Sequence, residues 1–224
     1  MQPTTGDPPT LPTLGPGITR LEADERITGA LQSLVLDHVL MSKGEALWVD
    51  SRANGTTQPL SRLAPSPRTL EQIHIARGFT PWQHYSLLQD LPAAITDSTS
   101  LIVLPALDWF YRSDEVRTKL GTKMFESAVS QLEAIAEEFD VPILVTTYEA
   151  DGFTDSLAEV STPLECTLTK FGPRFSGQEF ETLVYPVEYG MLQTTLAYWC
   201  QVLSARHPAI ATPTSQEVTA SGSY

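Results

Sequence analysis

Gly44-Glu45-Ala46-Leu47-Trp48-Val49-Asp50 is the stretch on which the fold reading turns. Its apolar run, Ala46 to Val49, is short and is closed by a carboxylate. A run of that length reads as a strand buried on both faces, and such strands belong to sheets covered by helices on each side. Ser100 to Leu104 repeats the pattern and is stopped by Pro105; Pro142 to Thr147 repeats it again. Upstream, Ile18 to Ala23 reads as a short strand. A helix follows it, with Asp24 or Thr28 as N-cap, a face of Ile27, Leu31, Leu34, Val35, His38 and Met41, and Gly44 as its end. Downstream, Ser51 to Leu70 is broken by Pro59, Pro65 and Pro67 and reads mostly as loop, and Gln72 to Ala76 as a third short strand. Pro81 opens a helix with the face Trp82, Tyr85, Leu88, Leu91 and Ile95. A long helix is expected from Gly121 to Phe139, with Phe125, Val129, Leu132, Ile135, Ala136 and Phe139 inward and Glu126, Glu133, Glu137 and Glu138 outward. The segments 164–171, 179–187 and 194–203 read as antiparallel strands with turns at Gly172-Pro173 and around Gly190. The expectation is an α/β fold: a mostly parallel sheet flanked by helices, with a C-terminal antiparallel extension.

The chain has 224 residues, 42% of them hydrophobic, which suits one domain with a real core. Residues 1–17 hold Pro3, Pro8, Pro9, Pro12 and Pro16 and read as a flexible arm. Residues 18–204 read as the core domain, and 205–224 as a Ser/Thr/Pro-rich tail. The N-terminus lacks the basic and apolar regions of a signal peptide, and no apolar run approaches the roughly 20 residues that span a bilayer. A cytoplasmic protein with no membrane partner is expected. Cys166 and Cys200 are too few for a disulfide scaffold or a Cys-rich zinc site.

The formal net charge is −13, and the only lysines are Lys43, Lys119, Lys123 and Lys170. Such a chain repels nucleic acid on average, because that affinity comes largely from Lys and Arg on phosphates. An acidic, lysine-poor surface suits a salt-rich cytoplasm, so a halophilic archaeal source is expected; the alternative is an ordinary acidic mesophilic protein.

The order of these segments resembles the core of the RecA/RadA recombinases, including their RadB and KaiC-like branches. Leu11-Pro12-Thr13 with Gly17-Ile18-Thr19 is similar to a shortened entry into the family's first strand, and Gly44 to Asp50 to its second. Ala76-Arg77-Gly78-Phe79-Thr80 resembles the stretch after the third strand, Ser100 to Arg112 the Walker B strand and its extension, and Ile135 to Thr147 the helix and strand that follow. The resemblance spans about residues 11–200, and its weight lies in collinearity, since no single motif is intact.

What the resemblance implies is mostly loss. A P-loop needs glycine amides and a Lys around phosphate and a Ser/Thr on magnesium. The matching stretch is Glu22-Ala23-Asp24-Glu25-Arg26-Ile27-Thr28-Gly29, without the loop glycines or the Lys; Thr28 stands as a relic of the Ser/Thr, and Arg26, beside Asp24 and Glu25, is a poor anion contact. The Walker B acid falls on Pro105, the catalytic Glu on Arg52, and the Gln that senses the γ-phosphate near Tyr148. No nucleotide hydrolysis and no cofactor are expected.

Other constellations are weaker. Glu22, Asp24, Asp50, Asp108 and Glu149 gather where parallel strands should end, a crevice that in open α/β folds takes ligands. They read as a repurposed metal site or, more simply, as a solvated acidic rim, and no metal is expected. Arg112, Arg117, Lys119 and Lys123 form the densest basic cluster, where the resemblance puts a first DNA-contacting loop; the bland reading is a solvated loop. A second such loop would fall at 149–162 and is acidic, so DNA binding is expected to be weak or absent. His38, His74, His84 and His207 show no zinc spacing, and no nucleophile motif appears. Trp48, Trp82, Phe110 and Trp199 are expected in the core, with Trp109, Tyr111 and Tyr198 at an interface. The leading expectation is a non-enzymatic module that binds a RecA-family subunit or recombinase and modulates recombination or repair. The alternatives are a KaiC-like signalling module with no DNA role and an enzyme with a repurposed acidic crevice.

Overall fold

A computed structural model describes residues 11–23, 27–52, 57–169, 172–177 and 195–208. Within them the chain builds a seven-stranded sheet in the order β3-β2-β4-β5-β1-β6-β7. The strands are β1 (Gly17–Ala23), β2 (Glu45–Asp50), β3 (Ile73–Arg77), β4 (Thr99–Leu104), β5 (Pro142–Val145), β6 (Ser161–Thr169) and β7 (Gly172–Gly177). Every pairing is parallel except β6 with β7. The helices are α1 (Ala30–Ser42), α2 (Thr57–Leu63), α3 (Pro67–Glu71), α4 (Pro81–Ala94), α5 (Thr118–Phe139), α6 (Asp155–Val160) and α7 (Thr195–Arg206).

The interior strand β4 shows why the sheet lies inside. Leu101, Ile102, Val103 and Leu104 are all fully buried, and they alternate between two cores. Leu101 and Val103 pack with Trp48, Leu34, Val35, Leu60 and Trp199, under α1, α2 and α7. Ile102 and Leu104 pack with Leu88, Phe125, Leu132 and Leu157, under α4, α5 and α6. Period-two alternation thus supplies both faces, and helices cover both.

Several local expectations are corrected. Ser51 to Leu70 is not mostly loop. Pro67 opens α3 and Pro59 sits in the first turn of α2, where a missing N–H breaks no helical bond. Segment 194–203 is not a strand: Leu196, Trp199, Val202 and Leu203 face one way at helical spacing in α7. That helix runs to Arg206, into the stretch read as tail, and Arg206 and His207 both bind the buried Asp37 of α1, at 2.7 and 2.8 Å. β6 is a parallel partner of β1, and Gly172-Pro173 lies in β7 rather than in a turn. The expected strand 179–187 and the turn near Gly190 lie outside the described residues.

α1 starts later than expected, at a Gly29 cap with φ +89, and Thr28 does not cap it. Its C-cap is Lys43, at φ 57; Gly44 is needed for closeness instead, since a Cβ there would meet the Ser100 Cβ at 2.5 Å. Met41 and Trp82 are exposed rather than buried, while Leu36, Val39 and His84 take core positions. Trp48 and Trp199 are core residues as expected, Phe110 is half-buried, and Tyr111 is buried rather than at an interface. Residues 1–10, most of the expected arm, lie outside the described residues, whereas Leu11 and Leu14 are buried in the core. No helix among the described residues is long and apolar enough to cross a membrane.

Candidate functional site

The carboxyl ends of β2, β4, β5 and β1 bring most of the expected site residues to one edge of the sheet. At the end of β2, Asp50 is fully buried. Its Oδ2 receives Arg77 Nε from β3 at 2.7 Å, and its Oδ1 accepts from Trp48 Nε1 at 3.2 Å. Ser51, also buried, donates its hydroxyl across to β4, 2.5 Å from Pro105 O and 2.9 Å from Ala106 O. Arg52 and Ala106 follow on these neighbouring strands, both with left-handed backbones at φ 53 and φ 46. A non-glycine residue there is strained, and such strain persists only where surrounding bonds fix it.

Asp108 is the second buried carboxylate. Arg112 Nε meets its Oδ2 at 2.5 Å, and the backbone N–H groups of Tyr148 and Glu149 donate to its two oxygens at 2.6 and 3.3 Å. Arg112 also grips Asp151 in a two-point contact, at 3.0 and 2.5 Å, and covers the Phe153 ring at 4.4 Å. Those bonds hold the Asp151 carboxyl below its ordinary range and the Arg112 guanidinium above its own. Arg112 therefore faces inward, its side chain 16% exposed, and ties the turn after β4 to the loop after β5. Arg117, Lys119 and Lys123 are exposed at the start of α5 and do not share its contacts. Gly121 lets α5 lie against this turn, since a Cβ there would stand 2.1 Å from Tyr111 O.

Arg52 and Tyr148, expected as degenerate nucleotide residues, come together in a way the sequence did not suggest. The Arg52 guanidinium lies 4.6 Å from the Trp109 ring centre and 4.5 Å from that of Tyr148. The two rings stand 4.5 Å apart at 83° to one another, so the cation fills a corner between them. Beside this corner opens a cavity of about 920 Å³, lined by Glu22, Thr28, Gly29, Arg52, Arg62 and Tyr148 among others. Glu22 pairs with Arg20 at 2.7 Å and lies in register with Glu165, which lines the same cavity. Asp24, Glu25 and Arg26 lie outside the described residues; Ile27 beside them is buried. Leu196 of α7 closes one side, close enough to Gly29 that a Cβ there would meet it at 2.9 Å.

The acidic rim is therefore not uniform. Asp50 and Asp108 are buried and arginine-bound, while Glu149 is exposed and stands 3.7 Å from Arg112. Among the described residues no group of three or more His, Cys, Asp or Glu is placed to hold a metal ion. His84 is fully buried; its Nδ1 meets the Tyr111 hydroxyl at 3.0 Å, and its Nε2 has no partner among the described residues. Burial lowers its pKa to about 4. Arg77, Trp109 and Asp151 complete the site; Trp109 was expected at an interface and Asp151 in the acidic stretch 149–162, and neither they nor Arg77 were expected as partners of these residues. Arg77 directly follows the β3 run, the one signal that it closes a strand beside Asp50. No protein-family model matches this chain, and no curated protein sequence matches it either.

Proposed function

We propose that this chain is a RecA/RadA-like module without ATPase chemistry, which acts by binding a RecA-family subunit and so modulates recombination or repair. The α/β sheet is compatible with a P-loop-like core. The collinear segments quoted above carry the family assignment as analogy. The observation that carries the loss of chemistry is at the ends of β2 and β4. Phosphoryl transfer needs carboxylates free to hold magnesium and to position a nucleophile. Here Asp50 and Asp108 are each taken up by an arginine at 2.7 and 2.5 Å, Pro105 ends β4, and Arg52 stands where the resemblance puts the catalytic acid.

A protein partner fits this edge better than DNA does. Arg112, the first cation of the expected DNA patch, is occupied by Asp108 and Asp151, which leaves Arg117, Lys119 and Lys123 in a chain of net charge −13. Calorimetry with ATP and magnesium tests the reading: no binding is expected at millimolar nucleotide, and a micromolar dissociation constant would overturn it. A salt-rich cytoplasm is part of the same proposal. The melting temperature should climb as salt shortens the screening length from about 10 Å at about 0.1 M to about 3 Å at about 1 M; a flat profile removes the halophilic source.

A further inference from the structure

We infer that Arg52 is a preorganised fork for a carboxylate side chain of a protein partner, an assignment that rests on reading the chain as a protein-binding module. Arg20, Arg77, Arg112 and Arg206 are each closed by a carboxylate of the chain itself, at 2.5 to 2.7 Å. Arg52 is exposed, and among the described residues it has the two rings but no hydrogen-bond or ion-pair partner. The guanidinium carbon sits in the corner between Trp109 and Tyr148, 4.6 and 4.5 Å from their ring centres, and its N–H donors are bonded to no oxygen among the described residues. The entropy of ordering a long side chain is thus spent before any partner arrives.

The backbone beneath is fixed in the same sense. Ser51 Oγ bridges to Pro105 O and Ala106 O, which ties together the two turns that hold the left-handed residues Arg52 and Ala106. Backbone strain of this kind clusters at ligand clamps. The surroundings select the anion. Glu149 follows Tyr148, and Glu22 and Glu165 line the adjoining cavity, so a polyanion meets more repulsion than a single carboxylate. A carboxylate takes both edge donors at once, and Arg flanked by Trp and Tyr is the composition of an interface anchor.

The test is an NMR titration of the full chain that follows the Arg52 Nε–H and Trp109 indole N–H signals. The blocked tripeptide Gly-Glu-Gly should shift both signals together and saturably, and Gly-Gln-Gly should not. Arg52→Gln should abolish the response while the backbone signals of β2 and β4 stay in place, and Arg52→Lys, charged but not forked, should weaken it several-fold. No response to Gly-Glu-Gly, an equal response to Gly-Gln-Gly, an unchanged response in Arg52→Gln, or saturation by inorganic phosphate at lower concentration would each overturn the assignment. ATP with magnesium is the further probe. Saturation by it at micromolar concentration would sink the non-nucleotide reading itself, whereas silence to both ATP and the peptide sinks only the fork.

Discussion

The ends of β2 and β4 lie side by side, and each carries a buried aspartate bound by an arginine, but the two pairs do different work. Asp50 is neutralised by Arg77 and bonded to Trp48 of its own strand, and its arginine, 37% exposed, keeps one side in water. Asp108 gathers Arg112 and two backbone N–H groups, and Arg112 in turn gathers Asp151, so one carboxylate organises a whole loop. A buried charge at a strand end can serve as a neutralised post or as the scaffold of a loop. The largest expected effect breaks or sustains that contrast. Asp108→Ala takes one of two carboxylates from a mostly buried guanidinium and leaves two N–H groups without their acceptor, and should cost about 3–5 kcal/mol. Asp50→Ala leaves an arginine that can turn to solvent and should cost about 1–3 kcal/mol. Urea denaturation of both variants decides it; equal losses would erase the distinction.

The β4 side also holds the buried histidine. His84 packs against Phe110 at 5.4 Å and Tyr111 at 5.6 Å, and burial lowers its pKa from 6.5 to about 4. The folded chain then refuses a proton that the unfolded chain accepts. The stability this protects is complete above about 6.5 and is lost as pH falls toward about 4, by about 3 kcal/mol over the whole window. His38, lowered by burial despite its bond to Ser100 O, adds to the loss in the same direction. His84→Phe should flatten most of the decline between about pH 7 and about pH 5. A wild type whose stability is level across that range would mean that the His84 site is open to water.

The two ends were not equally legible in the sequence. Buried strands announce themselves by composition, so β2, β4 and β5 could be read directly and the parallel sheet followed from them, while the antiparallel edge was expected from the segments that begin at residue 164. Helices begun by prolines were hidden because Pro59 and Pro67 look the same as breakers and as first-turn residues. In α7, Tyr198, Trp199 and Val202 favour a strand by residue type, whereas the three- and four-residue spacing of Leu196, Trp199 and Leu203 is what burial obeys. Asp50 ends β2 and Arg52, Asp108 and Tyr148 lie in the turns just past strand ends, but their partners were not foreseeable. Arg77 and Asp151 reach the site across neighbouring strands and loops, and only register brings them there.

The smallest effect isolates the strain at the two ends. Arg52→Ala keeps φ near 53 and loses both ring contacts, each worth about 0.5–1 kcal/mol at an exposed site. Arg52→Gly loses the same contacts but relieves a left-handed backbone that costs an L-residue roughly 1–2 kcal/mol. Glycine gives back about 0.4–1 kcal/mol through the freedom of its unfolded chain. The glycine variant should therefore be more stable than the alanine variant by about 0.5–1 kcal/mol, the difference between those two terms. At Ala106, with φ 46 and only 5% exposure, the same relief also removes a buried methyl worth about 0.8 kcal/mol, so Ala106→Gly should be near neutral. Paired urea melts of the three variants measure this directly. If the glycine and alanine variants at position 52 melt together, the corner that holds Arg52 is not strained, and the argument that the chain invests backbone energy in presenting that side chain fails.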